Sequence, residues 1–318
     1  MTGEAVLVTG GAGFIGSNLI DILLEKGHVV YVLDDLSTGK LENMEHNLED
    51  PNFKFVRGDV CRPLADSLTP SELGDGPRIS AVFHLAARVD VTSSFEDPVR
   101  DANVNYLGTM NVLTYALRND IKRVVLTSSA AVYGDTEELP VSEEAPPRPQ
   151  SPYGAHKLAS EQLLRIFSEQ YRMSCVSLRL FNVYGPRQDP SNPYSGVISK
   201  FIDWGRSGRP FMIYGDGEQT RDFIFVKDAA LALYSAASAP TGLYNVGTGK
   251  ETSVNDLASA VFHMLGKEPK VVRMPARKGE ILRSCASTEL SEAAMGFVPE
   301  TDLKEGLRAT LRWAQTQA

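Results

Sequence analysis

Ala5-Val6-Leu7-Val8-Thr9-Gly10-Gly11-Ala12-Gly13-Phe14-Ile15-Gly16 decides how the rest of the chain is read. Five residues with strand character run into a glycine-rich turn, and a helical pattern follows at once. Gly10 permits a tight turn, Gly13 lets a pyrophosphate approach the backbone, and Gly16 lets helix and strand pack closely. The free N–H groups and positive dipole end of the helix that follows then face the phosphates. Asp34, in YVLDD at the end of the next strand pattern, stands where a carboxylate that holds a ribose belongs. Its charge repels a 2′-phosphate, so the expected dinucleotide is NAD, with NADP disfavoured. Asp59, after the third strand pattern, can serve the cofactor or cap a turn.

Outward from this unit the same rhythm continues. Residues 5–9, 28–33, 53–57, 79–85, 123–127 and 175–179 are short apolar runs, as strands buried on both faces require. Residues 17–26, 101–119 and 152–172 carry helical periodicity between them, and Gly27 stands where a helix C-cap belongs. Alternation of this kind predicts an α/β chain: a doubly wound parallel Rossmann sheet followed by a smaller C-terminal α/β substrate domain. Residues 134–151 and 185–196 break the rhythm as Pro-rich loops. The expected division is a dinucleotide-binding domain over 1–180, with a return contribution around 221–246, and a substrate-binding domain over 181–318.

Tyr153 and Lys157 stand four apart at the start of a helix and project from one face. A free tyrosine is a poor base at neutral pH, and a nearby ammonium favours its phenolate. The run Thr127-Ser128-Ser129 ends a strand at the edge where open α/β sheets bind ligands, and supplies a hydroxyl for the same substrate oxygen.

Composition narrows the classes that remain. The 318 residues carry a net charge of −8 with no basic stripe, which argues against nucleic-acid or anionic-membrane partners. Cys61, Cys175 and Cys285 are far apart and odd in number, as for reduced thiols in a cytoplasmic protein. The start MTGEAVLVTGG has no signal-peptide pattern, no apolar run reaches spanning length, and the five scattered histidines give no metal spacing.

Taken in order, TGGAGFIG, DDLSTG, GDV, HLAA, TSSAAVYG, SPYGAHK, RLFNVYGPRQ and YGDGEQTRDF resemble the extended short-chain dehydrogenase/reductases, and within them the nucleotide-sugar 4-epimerases. The resemblance runs over essentially the whole chain. It implies Tyr153 as the base, Lys157 as its partner and Ser129 as the hydroxyl beside the C4 oxygen of a UDP-linked sugar. It implies NAD contacts at Gly10, Gly13, Phe14, Ile15, Gly16, Asp34, Asp35, Ser37, Thr38, Gly39, Asp59, Val60, Leu85, Ala86, Ala87, Asn105 and Thr127, besides Tyr153 and Lys157. It also implies substrate contacts at Asn182, Arg221, Arg277, Glu280 and Ser284, with Arg187 open to a sugar carboxylate. Ser284 stands where a tyrosine in some relatives excludes N-acetylated sugars. Val89 stands where many galactose epimerases have a lysine, so that residue's contacts do not carry over.

The implied reaction is 4-epimerisation of UDP-glucose/UDP-galactose, and of the N-acetylated pair, through a transient 4-keto sugar. UDP-glucuronate epimerisation is one alternative. Nucleotide-sugar dehydratases and decarboxylases are another, but they resemble the chain with acidic residues in place of Ala130 or Ala131. A non-catalytic NAD-binding scaffold would not need the Tyr/Lys/Ser group. Relatives pair as homodimers through two helices, to which Leu107, Met110, Leu113, Leu117, Leu163, Leu164 and Phe167 are expected to contribute.

Overall fold

The computed structural model describes residues 3–136, 138–191, 196–268, 270–276 and 281–317. Seven parallel strands form its central sheet, in the order Gly242–Val246, Ser174–Leu180, Arg123–Ser129, Ile79–His84, Ala5–Thr9, Val29–Asp34 and Phe53–Arg57. The last strand of this sheet in sequence, Gly242–Val246, returns from the second half of the chain to pair with Ser174–Leu180. Successive side chains of one strand face opposite ways, so the sheet feeds two cores. Val6 and Val8 pack with Leu19, Ile20 and Leu23 of helix Phe14–Glu25 and with Leu233 of helix Val226–Ala236. Ala5 and Leu7 pack on the other face with Leu113 of helix Gly108–Arg118 and Leu164 of helix Pro152–Tyr171. Helices thus cover both faces, which is why the strands read as unbroken apolar runs.

A third core belongs to the C-terminal part. The rings of Phe201 and Phe211 stack with centroids 4.4 Å apart, and those of Phe211 and Phe262 at 3.9 Å. These rings join helices Val197–Arg206 and Val254–Leu265 to a two-stranded parallel pair, Phe211–Tyr214 with Val271–Met274.

Two expected elements differ in detail. Residues 101–119 are not one helix: Pro98–Ala102 passes into a π turn at Asn103–Leu107 before Gly108–Arg118. At the turn Gly108 N–H reaches the Asn103 carbonyl five residues back, and the Asn105 carbonyl accepts the hydroxyls of Thr109 (2.7 Å) and Ser160 (2.8 Å). The helix after the glycine turn starts at Phe14, and Gly27, in the left-handed region at φ 78°, ends it as expected. Of the residues expected at a dimer surface, four need correction. Leu113, Leu163, Leu164 and Phe167 are buried under the chain's own sheet, whereas Leu107 and Leu117 remain exposed.

Candidate active site

Strand order reverses between Ala5–Thr9 and Ile79–His84, which opens a crevice at their C-terminal ends. The glycine turn lies there. A Cβ on Gly10 would lie 2.5 Å from the Ala86 nitrogen, and one on Gly16 only 2.3 Å from the Gly10 oxygen. Both contacts are with backbone, so neither can yield. Gly13 differs: its Cβ would meet only the Gly10 oxygen, at 3.1 Å, and no side chain caps the helix it begins. Space and unclaimed N–H groups at that helix start suit a diphosphate. Asp34 is nearly buried, and its two oxygens accept Ala12 N–H (3.0 Å) and Leu36 N–H (2.9 Å). Burial pushes its carboxyl up, against the pull of those two hydrogen bonds.

Other expected cofactor residues prove to shape the cradle. The Asn105 amide is used by one backbone unit: its oxygen accepts Arg88 N–H at 3.1 Å and its NH₂ donates to the Arg88 carbonyl at 2.9 Å. It therefore staples the loop that carries Leu85, Ala86 and Ala87. Asp59 caps a turn by accepting Cys61 N–H at 2.8 Å, and Val60 is packed under Gly108. Ser37, Thr38 and Gly39 fold back over the glycine turn, where Lys40 N–H and the Asn43 amide both reach the Ala12 carbonyl.

The Tyr/Lys pair stands at the start of helix Pro152–Tyr171, which Ser151 caps by accepting Gly154 N–H at 3.1 Å. Both side chains are buried, with Lys157 Nζ 5.9 Å from the Tyr153 ring centre and 2.9 Å from the Thr127 carbonyl it donates to. The Ser129 hydroxyl beside it favours the Tyr153 phenolate. Burial pushes the Tyr153 phenol up to about 12 despite the opposing pull of Ser129, and the Asp101 carboxylate adds to the rise. Burial likewise brings the Lys157 ammonium down to about 8, although Asp101 and Glu161 oppose it. The physical reason is that taking either charge out of water costs more than these neighbours return.

Around this pair lie groups that sequence reasoning missed. His84 is buried, and desolvation, then the Lys157 charge, lower its imidazole to about 3. Thr109 gives its proton to the Asn105 carbonyl, so it accepts from His84 Nε2 (3.1 Å), and His84 Nδ1 then accepts from Thr9 (2.7 Å). The network fixes a neutral tautomer that braces the first strand against the π turn. Glu161, one helical turn beyond Lys157, accepts Ser128 Oγ at 2.5 Å and both Nε and Nη2 of Arg179, at 2.9 and 2.7 Å. Arg179 in turn lies 4.5 Å over the Tyr133 ring. Glu161 stands four residues after Lys157, a spacing that could have exposed it.

A cavity of about 220 Å³ extends from Tyr153 and Ser129 to Asn182 and Arg221. Ala130, Ala131, Phe181, Ile281, Arg283 and Ser284 help to wall it, as does Val89. Asn182 begins a short strand paired with Phe223–Phe225. Asp222, next to Arg221, is fully buried. Its carboxylate accepts Thr248 N–H (2.8 Å), Thr248 Oγ1 (2.6 Å), Gly249 N–H (2.9 Å) and Ala286 N–H (3.1 Å). It thereby ties the cavity's Arg221 and Ser284 segments together. Arg187 is not part of the cavity: it pairs with Asp21 at 2.8 Å on helix Phe14–Glu25, drawn there by the nearer carboxylate. Arg277 and Glu280 lie outside the described residues.

Comparison with known proteins agrees with this geometry. The model of the NAD dependent epimerase/dehydratase family matches residues 6–247, more than half of the chain. The chain belongs to that family. NAD is accordingly its cofactor, and the cradle of Gly10, Gly13, Gly16 and Asp34 fits it. A putative UDP-glucose 4-epimerase of Methanocaldococcus jannaschii is 39% identical over 310 residues, 97% of this chain and 97% of that protein. The solved UDP-N-acetylglucosamine 4-epimerase of Methanobrevibacter ruminantium, in complex with UDP-N-acetylmuramic acid, is 37% identical with a TM-score of 0.93, and each chain covers 100% of the other. The UDP-glucose 4-epimerase of Thermus thermophilus, solved with NAD, is 38% identical with a TM-score of 0.89, over 99% of this chain and 100% of that one. Among the described residues no helix is long and apolar enough to cross a membrane.

Proposed function

We propose that this family member is a UDP-hexose 4-epimerase, acting on UDP-glucose/UDP-galactose and on the N-acetylated pair. One observation carries the choice within the family: the described residues lining the cavity include Tyr153 and Ser129 but no carboxylate. Elimination from a sugar needs an acid to protonate the departing hydroxyl, and the methyl groups of Ala130 and Ala131 cannot provide it. Epimerisation needs only one group that takes a proton and later returns it, which a single tyrosine can do.

In this reading residues 1–180, with the strand Gly242–Val246, hold the cofactor, and 181–318 hold the nucleotide sugar. Asn182 and Arg221 grip the diphosphate at one end of the cavity. Tyr153 removes the C4 hydroxyl proton in the first half-reaction and restores it in the second, while Ser129 shares its hydrogen bond with that oxygen. NAD held by the cradle of Gly10, Gly13, Gly16 and Asp34 would supply the acceptor and donor of the C4 hydride. Lys157 stabilises the phenolate that burial otherwise disfavours, and its bond to the Thr127 carbonyl keeps the ammonium in place. Largely apolar walls, among them Val89, Val91, Leu180 and Phe181, give the sugar ring few fixed partners, so the 4-keto ring can turn between half-reactions. Ser284 leaves room for an acetamido group.

Two copies pair, in the same reading, through the exposed apolar side chains Phe95, Val99, Leu107 and Ile166. Light scattering at micromolar concentration should then give the mass of a dimer. The decisive experiment for the activity is incubation with UDP-glucose and UDP-GlcNAc and analysis of the products by NMR. The 4-epimers are expected, and a 4-keto-6-deoxy product would overturn the assignment.

A further inference from the structure

The cavity wall contains a cation that the proposed reaction does not use. Among the described residues that line it there are two guanidinium groups, Arg221 and Arg283. Arg221 lies at the end assigned to the diphosphate. Arg283, next to Ser284, is gripped by Glu251: its Nε donates to Oε1 at 3.0 Å and its Nη2 to Oε2 at 2.5 Å. Glu251 is itself fixed, because the Thr220 hydroxyl also donates to its Oε1. Thr220 adjoins Arg221, and the strands Thr220–Arg221 and Thr252–Ser253 pair antiparallel, so Glu251 is held beside the cavity wall.

We propose that Glu251 determines specificity: by occupying Arg283 on two oxygens it favours neutral nucleotide sugars over those that carry a carboxylate. This inference rests on the nucleotide-sugar reading above. A sugar carboxylate entering the cavity has Arg221 committed to the diphosphate and must take Arg283 from Glu251. It then leaves Glu251 facing a like charge, and juxtaposed like charges discriminate strongly between ligands. The fork-to-carboxylate geometry matters, since Glu251 takes the Nε/Nη2 face that pairs best with a carboxylate and already balances the guanidinium charge. The pair remains ionised at neutral pH, because the Arg283 contact holds the Glu251 carboxyl below its ordinary value.

The test compares kcat/KM for UDP-glucose and UDP-glucuronate in the wild type, Glu251→Gln and the double variant Glu251→Gln/Arg283→Gln. Glu251→Gln keeps the size and the Thr220 contact but releases the guanidinium. The wild type should favour UDP-glucose, and Glu251→Gln should raise the glucuronate-to-glucose ratio about tenfold. The double variant should lose that gain, since the gain requires Arg283. An unchanged ratio in Glu251→Gln, or a gain that survives in the double variant, overturns the inference, as does a wild type that prefers UDP-glucuronate. Turnover of neither sugar by the wild type would defeat the epimerase reading alone. In that case the same ratio, measured as Kd for the two nucleotide sugars by calorimetry on the NAD-loaded proteins, decides the role of Glu251.

Discussion

The cofactor cradle and the sugar cavity share one edge of one sheet but are made in opposite ways. The cradle is almost entirely backbone, drawn from one short stretch, Gly10 to Gly16, and one strand end, Asp34. The cavity is almost entirely side chain, assembled from segments as distant as Val89 and Ser284. Backbone recognition tolerates no added atom, as the 2.3 Å and 2.5 Å approaches at Gly16 and Gly10 indicate. Side-chain recognition depends on buried carboxylates: Asp222 fastens the Arg221 and Ala286 segments, and Glu161 fastens Ser128 to Arg179. The first kind of site is set by local geometry, the second by long-range satisfaction of polar groups.

The largest effect is expected where the two regions meet. Tyr153→Phe keeps the buried ring but removes the hydroxyl, so kcat should fall by about 10²–10⁴-fold. Equilibrium binding of NAD and nucleotide sugar should be almost unchanged, and near-full turnover in this variant would remove Tyr153 from the chemistry.

Alanine substitutions in the glycine turn should separate folding from cofactor binding. Gly16→Ala forces backbone apart and should cost about 1–3 kcal/mol of stability, read from chemical denaturation. Gly13→Ala meets a single atom at 3.1 Å and should leave that stability nearly intact, yet it fills the space left for a diphosphate. Its purified form should release NAD on dilution while the wild type retains it. If both variants behave alike, the cradle does not recognise the diphosphate through its backbone.

The buried ammonium offers a pH test of the boundary between the regions. Lys157 is lowered to about 8 in the fold, against 10.5 for the free side chain. Below pH 8 both states bear the proton and the folded state carries the full cost of burying the charge. Between pH 8 and 10.5 the folded state releases it first, so the unfolded state holds more protons and stability rises with pH. Denaturation of the wild type and Lys157→Met at pH 7.5 and pH 10 isolates this effect. The wild type should gain about 2 kcal/mol relative to the variant over that interval. A difference that does not depend on pH would place the lysine in water.

The smallest overall effect, and the most selective, is expected at Ser284. A tyrosine there should depress the reaction of N-acetylated sugars about tenfold or more and leave UDP-glucose turnover within a few-fold, because overpacking has no easy relief. Equal losses on both sugars would mean that Ser284 is only a close packing point.

From sequence alone the strand–turn–helix unit, the alternating strands, Asp34 and the Tyr153/Lys157 pair were legible, because each is encoded by neighbours or by a fixed helical spacing. The seventh strand, Gly242–Val246, was foreshadowed only as a return of the chain, since its partner Ser174–Leu180 is remote in sequence. Only the tertiary structure decided that Arg187 goes to Asp21, that Asn105 staples Arg88, and that Asp222 is a buried hub. It also set the proton affinities of Tyr153 and Lys157, which follow from burial more than from spacing. A residue pattern records what a chain segment can do by itself. Which carboxylate an arginine finds, and how much water surrounds a phenol, depend on segments that only folding brings together.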